Sequence, residues 1–159
     1  MNYKTIPDMS LIDVTVQKLT ESGFSVAVVE NRDQAKEKTL SMIPKNAEVF
    51  TMTSVTLDES GISERINNSS SFLSVRNTLY GSDRTKDHRT MQRMGAAPEY
   101  AIGSVHAVTQ DGTLMIASNT GSQLSAYVYG ADHVIFVIGA QKIVSNLDSY
   151  TIEELKLIY

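Results

Sequence analysis

A chain of 159 residues with 42% hydrophobic and 20% charged side chains has the size and composition of one ordinary soluble domain, able to bury a core without metal or disulfide staples. Its formal charge of −4 argues against bulk affinity for nucleic acid or an anionic membrane, since both depend on cationic side chains. Cysteine is absent, which excludes disulfides, thiolate zinc sites, iron–sulfur ligation and cysteine nucleophiles together. No cofactor is assigned, and a redox role has to be indirect or cofactor-borne. No stretch reaches the roughly 20 apolar residues of a membrane helix, and the start, Met1 to Asp8, lacks the layout of a signal peptide. The expectation is a cytoplasmic protein forming a single domain over residues 1–159.

In chain order, Leu11, Ile12, Val14, Val16 and Leu19 recur at helical spacing from about Ser10 to Glu21, with Gly23 as a stop. Phe24–Val29 is short, β-branched and mostly apolar, as a buried strand would be. Asn31 and Gln34 have N-cap and N3 residue types, so a helix follows to about Ile43, ended by Pro44. A second strand, Ala47–Met52, leads into a polar turn in which Thr56 and Glu59 have capping-box spacing. The stretch 62–83 is less legible, with a loop at Asn67–Ser71 and a strand-like Phe72–Val75.

A helix is expected from Arg84 to about Met94, broken by Gly95-Ala-Ala-Pro98. Its Arg84, Lys86, Arg89 and Arg93, interleaved with Asp83 and Asp87, read first as a solvated face with local ion pairs. Strand-like Tyr100–Val108, a turn at Gln110-Asp-Gly112 and strand-like Thr113–Ala117 suggest a β-hairpin, which Asp-Gly favours. A helix at 122–129, a central strand at His133–Ile138 and a final helix opened by Thr151 and Glu154 complete the chain. Alternating helices and buried strands imply an α/β fold, a three-layer sandwich on a mainly parallel sheet, with an antiparallel part from 100–117. The runs 24–29, 47–52 and 133–138 are expected to lie parallel in it.

The segment from Ala107 to Val144 resembles the signature of the LUD-domain family, the lactate-utilisation proteins. The matching residues are Ala107–Thr109, Gly112–Leu114, Gly121-Ser122, Gly130–Asp132, Val134-Ile135, Val137 and Lys142–Val144. The resemblance implies the Rossmann-like architecture shared with ribose-5-phosphate isomerases, glucosamine-phosphate deaminases and CoA transferases. It also implies a role beside iron–sulfur partner subunits in the oxidation of L-lactate to pyruvate.

Three turns are candidate ligand sites. Ser54-x-Thr56-Leu57-x-Glu59-x-Gly61 resembles the family's turn after an early strand, although the family usually has glycine where this chain has Met52-Thr53. Hydroxyls and free amides at a helix start attract anions, and Thr56 equally serves as a plain cap. The turn Ser118-Asn119-Thr120-Gly121-Ser122 offers a run of hydrogen-bonding or glycine positions, with Gly121 able to turn amides inward. Lys142, in a Gly139-Ala-Gln-Lys step, would be a point-charge partner for a carboxylate or phosphate. Because strand C-terminal ends share one side of an open α/β sheet, these turns are expected to converge on one cleft.

His88, His106 and His133 are scattered, no grouping has metal-ligand spacing, and no serine-hydrolase elbow is present. The resulting expectation is an accessory protein that binds a small anionic metabolite or a partner, with self-association left open. The alternative is an enzyme of the isomerase or CoA-transferase type, for which Glu59 and Asp111 are the carboxylates in family-like turns.

Overall fold

The strand β1 (Glu48–Thr51) sets the layering of the larger part of the chain. Its side chains alternate, as the two-residue period of a strand requires. Val49 enters a core with Leu57, Ile62, Ile66, Tyr100 and Ile102, while Phe50 joins Met52, Ala101, Ala126, Tyr127 and Val134 in another. A strand apolar in both directions is buried on both faces, the condition of a parallel sheet. The computed structural model describes residues 6–83, 85–119 and 121–147. The helix expected at Thr151–Glu154 lies outside these residues, as do Arg84 and Thr120.

The contacts divide the chain into two units. The larger, residues 29–104 and 118–137, holds a four-stranded sheet in the order β2 (Leu73–Ser74), β1, β3 (Tyr100–Gly103), β6 (His133–Phe136). All three pairings are parallel. Helices α2 (Arg32–Ser41), α3 (Val55–Glu59) and α4 (Ile62–Asn67) belong with the Val49 face, to which Leu40, Leu57 and Ile66 contribute. On the Phe50 side lie α5 (Val75–Gly81), whose Arg76 reaches the Phe50 ring, and the stretch after α7 (Ser122–Ser125). Helix α6 (His88–Ala96) completes the unit. The fold is α/β, a mostly parallel sheet flanked by helices, consistent with a Rossmann-like three-layer arrangement.

Within the described residues the smaller unit comprises 6–28, 105–117 and 138–147. It contains α1 (Met9–Glu21) and a three-stranded sheet in the order β5 (Leu114–Met115), β4 (Ala107–Thr109), β7 (Ile143–Val144). Strands β4 and β5 form the antiparallel hairpin that Asp111-Gly112 favours, with Gly112 at φ 87. No helix among the described residues is long and apolar enough to cross a membrane.

Several expectations change. Phe24–Val29 is not a strand: it finds no ladder partner among the described residues and stays exposed, Phe24 by 40% and Val28 by 56%. Strand preference expresses fit to a neighbouring strand, so a β-branched run without one remains irregular. The run 133–138 lies at the sheet edge rather than centrally, since β6 pairs with β3 alone among the described strands. Tyr100–Val108 is two strands in two sheets, interrupted at Ser104–His106. The helix expected from Arg84 begins only at His88 and runs on to Ala96. Asn31 does cap α2, its side chain accepting from the Gln34 amide. At α3 the cap position is Ser54, and Thr56 lies inside the helix.

Leu57 is fully buried on α3 whereas Val55, two residues earlier, is 70% exposed. Truncating a fully enclosed leucine removes its transfer energy and leaves a cavity. Leu57→Ala is therefore expected to lower stability to urea unfolding by about 2–5 kcal/mol, and Val55→Ala to stay within about 0.5 kcal/mol of the parent.

Candidate functional site

Where β1 ends, its last residues turn toward the helices of the Phe50 side and frame a cleft of about 280 Å³. Phe50, Met52, Leu79 and Met91 supply its apolar wall; Thr53, Arg76, Tyr80, Ser122 and Gln123 supply polar groups. The place is the one that an open parallel sheet leaves for ligands, beyond the carboxyl ends of its strands. The dominant group is Arg76, in the first turn of α5. Its Nε donates to the Thr51 carbonyl at 2.7 Å and to Thr51 Oγ1 at 3.2 Å, and Nη2 also donates to that carbonyl. Nη1 donates to the Tyr80 hydroxyl at 3.0 Å, and Nη2 lies 3.4 Å from Thr53 Oγ1. The guanidinium carbon stands 5.9 Å from the Phe50 ring centroid and 5.8 Å from that of Tyr80, within cation–π range.

A second layer of hydrogen bonds holds this arrangement. Thr51, fully buried, exchanges bonds of 3.0 and 3.1 Å with the Asn67 side chain. Ser74 donates to Asn67 Oδ1 at 2.7 Å and caps α5 by accepting from the Asn77 amide. Asn77 in turn donates to the Asn67 carbonyl at 2.6 Å. The guanidinium edge formed by Nε and Nη2 is thereby committed to the strand. The edge formed by Nη1 and Nη2 meets only the neutral hydroxyls of Tyr80 and Thr53 among the described residues, a weaker pairing than a planar anion would give it. Among the described residues no carboxylate stands in ion-pair contact with Arg76.

Of the residues singled out from sequence, Ser54, Thr56, Asn119, Gly121 and Ser122 all belong to this larger unit. Ser122 lines the cleft. Ser54 is the N-cap of α3 without a side-chain cap bond, and Thr56 Oγ1 lies 3.4 Å from Ser104 Oγ, beyond the end of β3. Gly121 has φ 72, and a Cβ there would meet nothing within 4 Å. It is a conformational glycine, not one that admits a close backbone approach. Helix α3 spans five residues; aligned peptide dipoles add up along a helix, so it offers an anion little, whereas α7 runs on into a π-helical turn at residues 126–130. Arg76 was not singled out because the stretch 62–83 has no clear period. One signal was present: a cation in the first turn of a capped helix, where acidic residues are favoured.

Lys142 lies in the smaller unit, where its amine donates to the Val105 carbonyl at 2.8 Å and burial lowers its pKa. The carboxylates considered for catalysis are engaged. Glu59 pairs with Arg32 at 2.6 Å. Asp111 accepts from Thr109 Oγ1 and the Thr113 amide, and these bonds, the Thr109 bond foremost, hold its carboxyl below the usual range. Lys86 pairs with Asp83 at 3.7 Å and Arg89 donates to Gln92 at 3.2 Å, a solvated face. His133 is exposed and stacks on Tyr100 with centroids 4.6 Å apart. No group of three histidines or carboxylates among the described residues could hold a metal ion.

The sequence model of the LUD domain matches residues 12–155, and the chain belongs to the LUD-domain family. The family is associated with lactate utilisation. No curated protein and no solved structure matches the chain.

His106, in the smaller unit, gives that unit a pH signature. Its Nδ1 accepts from the Ala117 amide at 3.2 Å, which requires that nitrogen to be unprotonated. Burial first, then the Lys142 charge, lower its pKa from the ordinary 6.5. A group whose folded pKa is depressed contributes stability above its unfolded pKa and loses it as pH falls through the folded value. Stability is therefore expected to decline as pH drops below about 6.5, and His106→Gln to flatten that part of the profile. An NMR titration placing the His106 pKa at or above the peptide value contradicts this.

Proposed function

We propose that this LUD-domain protein is an accessory component of L-lactate utilisation that binds a small carboxylate in the Arg76 cleft. Cysteine-bearing iron–sulfur partner subunits carry the electrons. The observation that supports the reading is Arg76 itself: a half-buried guanidinium, tethered along one edge to β1, with no carboxylate in contact among the described residues. A half-buried cation with no carboxylate in contact among the described residues favours an anionic ligand, because charge-assisted bonds are stronger than neutral ones.

The ligand chemistry follows from the lining. Among the described residues, the cleft lining includes a single cation, Arg76. One positive charge matches one carboxylate better than a dianionic phosphate. The hydroxyls of Thr53, Tyr80 and Ser122 suit a further oxygen on the ligand, and Met52, Leu79 and Met91 suit a short apolar group. L-Lactate and pyruvate have this make-up. Ser54, Thr56, Asn119, Thr120 and Gly121 are assigned to the turns beside the binding residues, and Lys142 is proposed as an anion partner in its own unit. Oxidation of lactate releases electrons, and a chain without cysteine has no thiolates to ligate a cluster that would accept them. The accessory role is preferred to the isomerase or CoA-transferase alternative because Glu59 and Asp111 are tied by Arg32 and Thr109.

Calorimetric titration of the purified chain with L-lactate and pyruvate tests the reading. Binding of at least one is expected, weakened by Arg76→Gln by about ten- to a hundredfold, the loss of a charge-assisted hydrogen bond worth about 1.5–3 kcal/mol. Circular dichroism verifies that the variant stays folded, and Arg76→Lys, which keeps the charge but not the planar fork, is expected to restore only part of the affinity. Equal affinity in parent and Arg76→Gln removes the cleft as the site. Turnover of lactate or acyl-CoA esters by the isolated chain overturns the accessory role.

A further inference from the structure

One buried polar group near the cleft lacks a structural explanation. Among the described residues, the Tyr127 hydroxyl is buried and finds no hydrogen-bond partner, although nearly all such atoms in folded proteins have one. Two other unfavourable features converge on the same atom. Tyr127 is carried by a π-helical turn, residues 126–130, closed by the Ala131 amide on the Ala126 carbonyl; such turns are rare and are found frequently at functional sites. Its hydroxyl presses on Gly103, the last residue of β3, where a Cβ would stand 1.6 Å from the hydroxyl oxygen and 2.7 Å from Cζ. A glycine within a strand weakens it and marks a close approach.

The location ties these features to the cleft. The Tyr127 ring packs against the cluster to which Met52, a cleft residue, belongs, and lies edge-on to Phe136 at 4.9 Å. It is near enough to Arg76 to feel that charge, yet burial dominates and pushes the phenol pKa up, so the hydroxyl keeps its proton. The turn continues directly from α7, whose Ser122 and Gln123 line the same cleft. Three features that disfavour the fold, meeting at a single hydroxyl, are the pattern proteins retain at functional sites.

We infer that the Tyr127 hydroxyl is a second ligand-binding group of the Arg76 cleft, donating a hydrogen bond to an oxygen of the bound carboxylate ligand. The inference rests on the reading of that cleft as a carboxylate site. The hydroxyl is shut away from solvent, so the ligand reaches it through a shift of the Tyr127 side chain; in the turn that carries it Val128 and Tyr129 are 80% and 95% exposed, whereas Ala126 is held in the core.

The chain has no tryptophan and seven tyrosines, which leaves tyrosine absorbance open as a probe. L-Lactate and pyruvate are titrated against the parent, Tyr127→Phe and Arg76→Gln, following calorimetry, the tyrosine difference spectrum and urea stability. Tyr127→Phe is expected to be at least as stable as the parent, to bind about five- to tenfold more weakly, and to show a smaller binding-induced difference spectrum, the remainder coming from Tyr80. A less stable Tyr127→Phe means that the hydroxyl has a structural partner, and overturns the inference. Parent-like affinity in Tyr127→Phe alongside weakened Arg76→Gln also overturns it, while leaving the cleft intact. Absence of binding by the parent to either probe contradicts the carboxylate reading itself, and this inference with it.

Discussion

The contact between the Arg76 guanidinium and the carbonyl of Thr51 is the constraint on which the site depends. Nε donates to that oxygen at 2.7 Å, and Nη2 shares the acceptor. The bond does two jobs. It satisfies the carbonyl at the end of β1, where the ladder stops and a buried acceptor would otherwise be left without a partner. It also orients a planar cation so that its outer edge faces the cleft. Thr51 is held by Asn67, Asn67 by Ser74 and Asn77, and the last two open α5, which carries Arg76. The loop of dependence closes on itself, so the guanidinium is positioned by the fold and does not have to be ordered by a ligand. Preorganisation of this kind strengthens binding by reducing the conformational freedom lost on association.

Side-chain charge, not helix dipoles, is the basis of the proposed anion site. The turns after β1 and before α7 have the serines, threonines and glycine that suggest a backbone cradle, but α3, which the first of them opens, is too short to sum its peptide dipoles usefully. Gly121 adopts a left-handed conformation in open space, so it serves the turn. Met52 and Thr53, standing where the family usually has glycine, place a thioether and a hydroxyl in the cleft. Of the sequence signature, Ser122 thus lies beside the cation that gives the cleft its charge.

Much of the fold was legible because its signals are local. The Asn31 cap, the Pro44 stop, the alternation of Ala47–Met52 and the Asp111-Gly112 hairpin each depend on a few neighbouring residues. What was misread depends on partners distant in sequence. Phe24–Val29 has strand composition without a strand to join, and a one-dimensional pattern cannot report that. His133–Ile138 reads as a central strand, although β6 stands at the edge of the sheet among the described strands. Tyr100–Val108 reads as one strand-like run because only Ser104 and His106 interrupt its apolar residues, and the break between two sheets falls on them. Arg76 and Tyr127 escaped notice for the same reason: their significance comes from Thr51 and Gly103, residues 25 and 24 positions away in the chain.

The most direct measurement is NMR of the arginine side-chain Nε–Hε resonances during titration with pyruvate. The account predicts a saturable shift of the Arg76 resonance, with Arg32, already paired with Glu59, unchanged. Saturable binding of pyruvate that leaves Arg76 unmoved would contradict it.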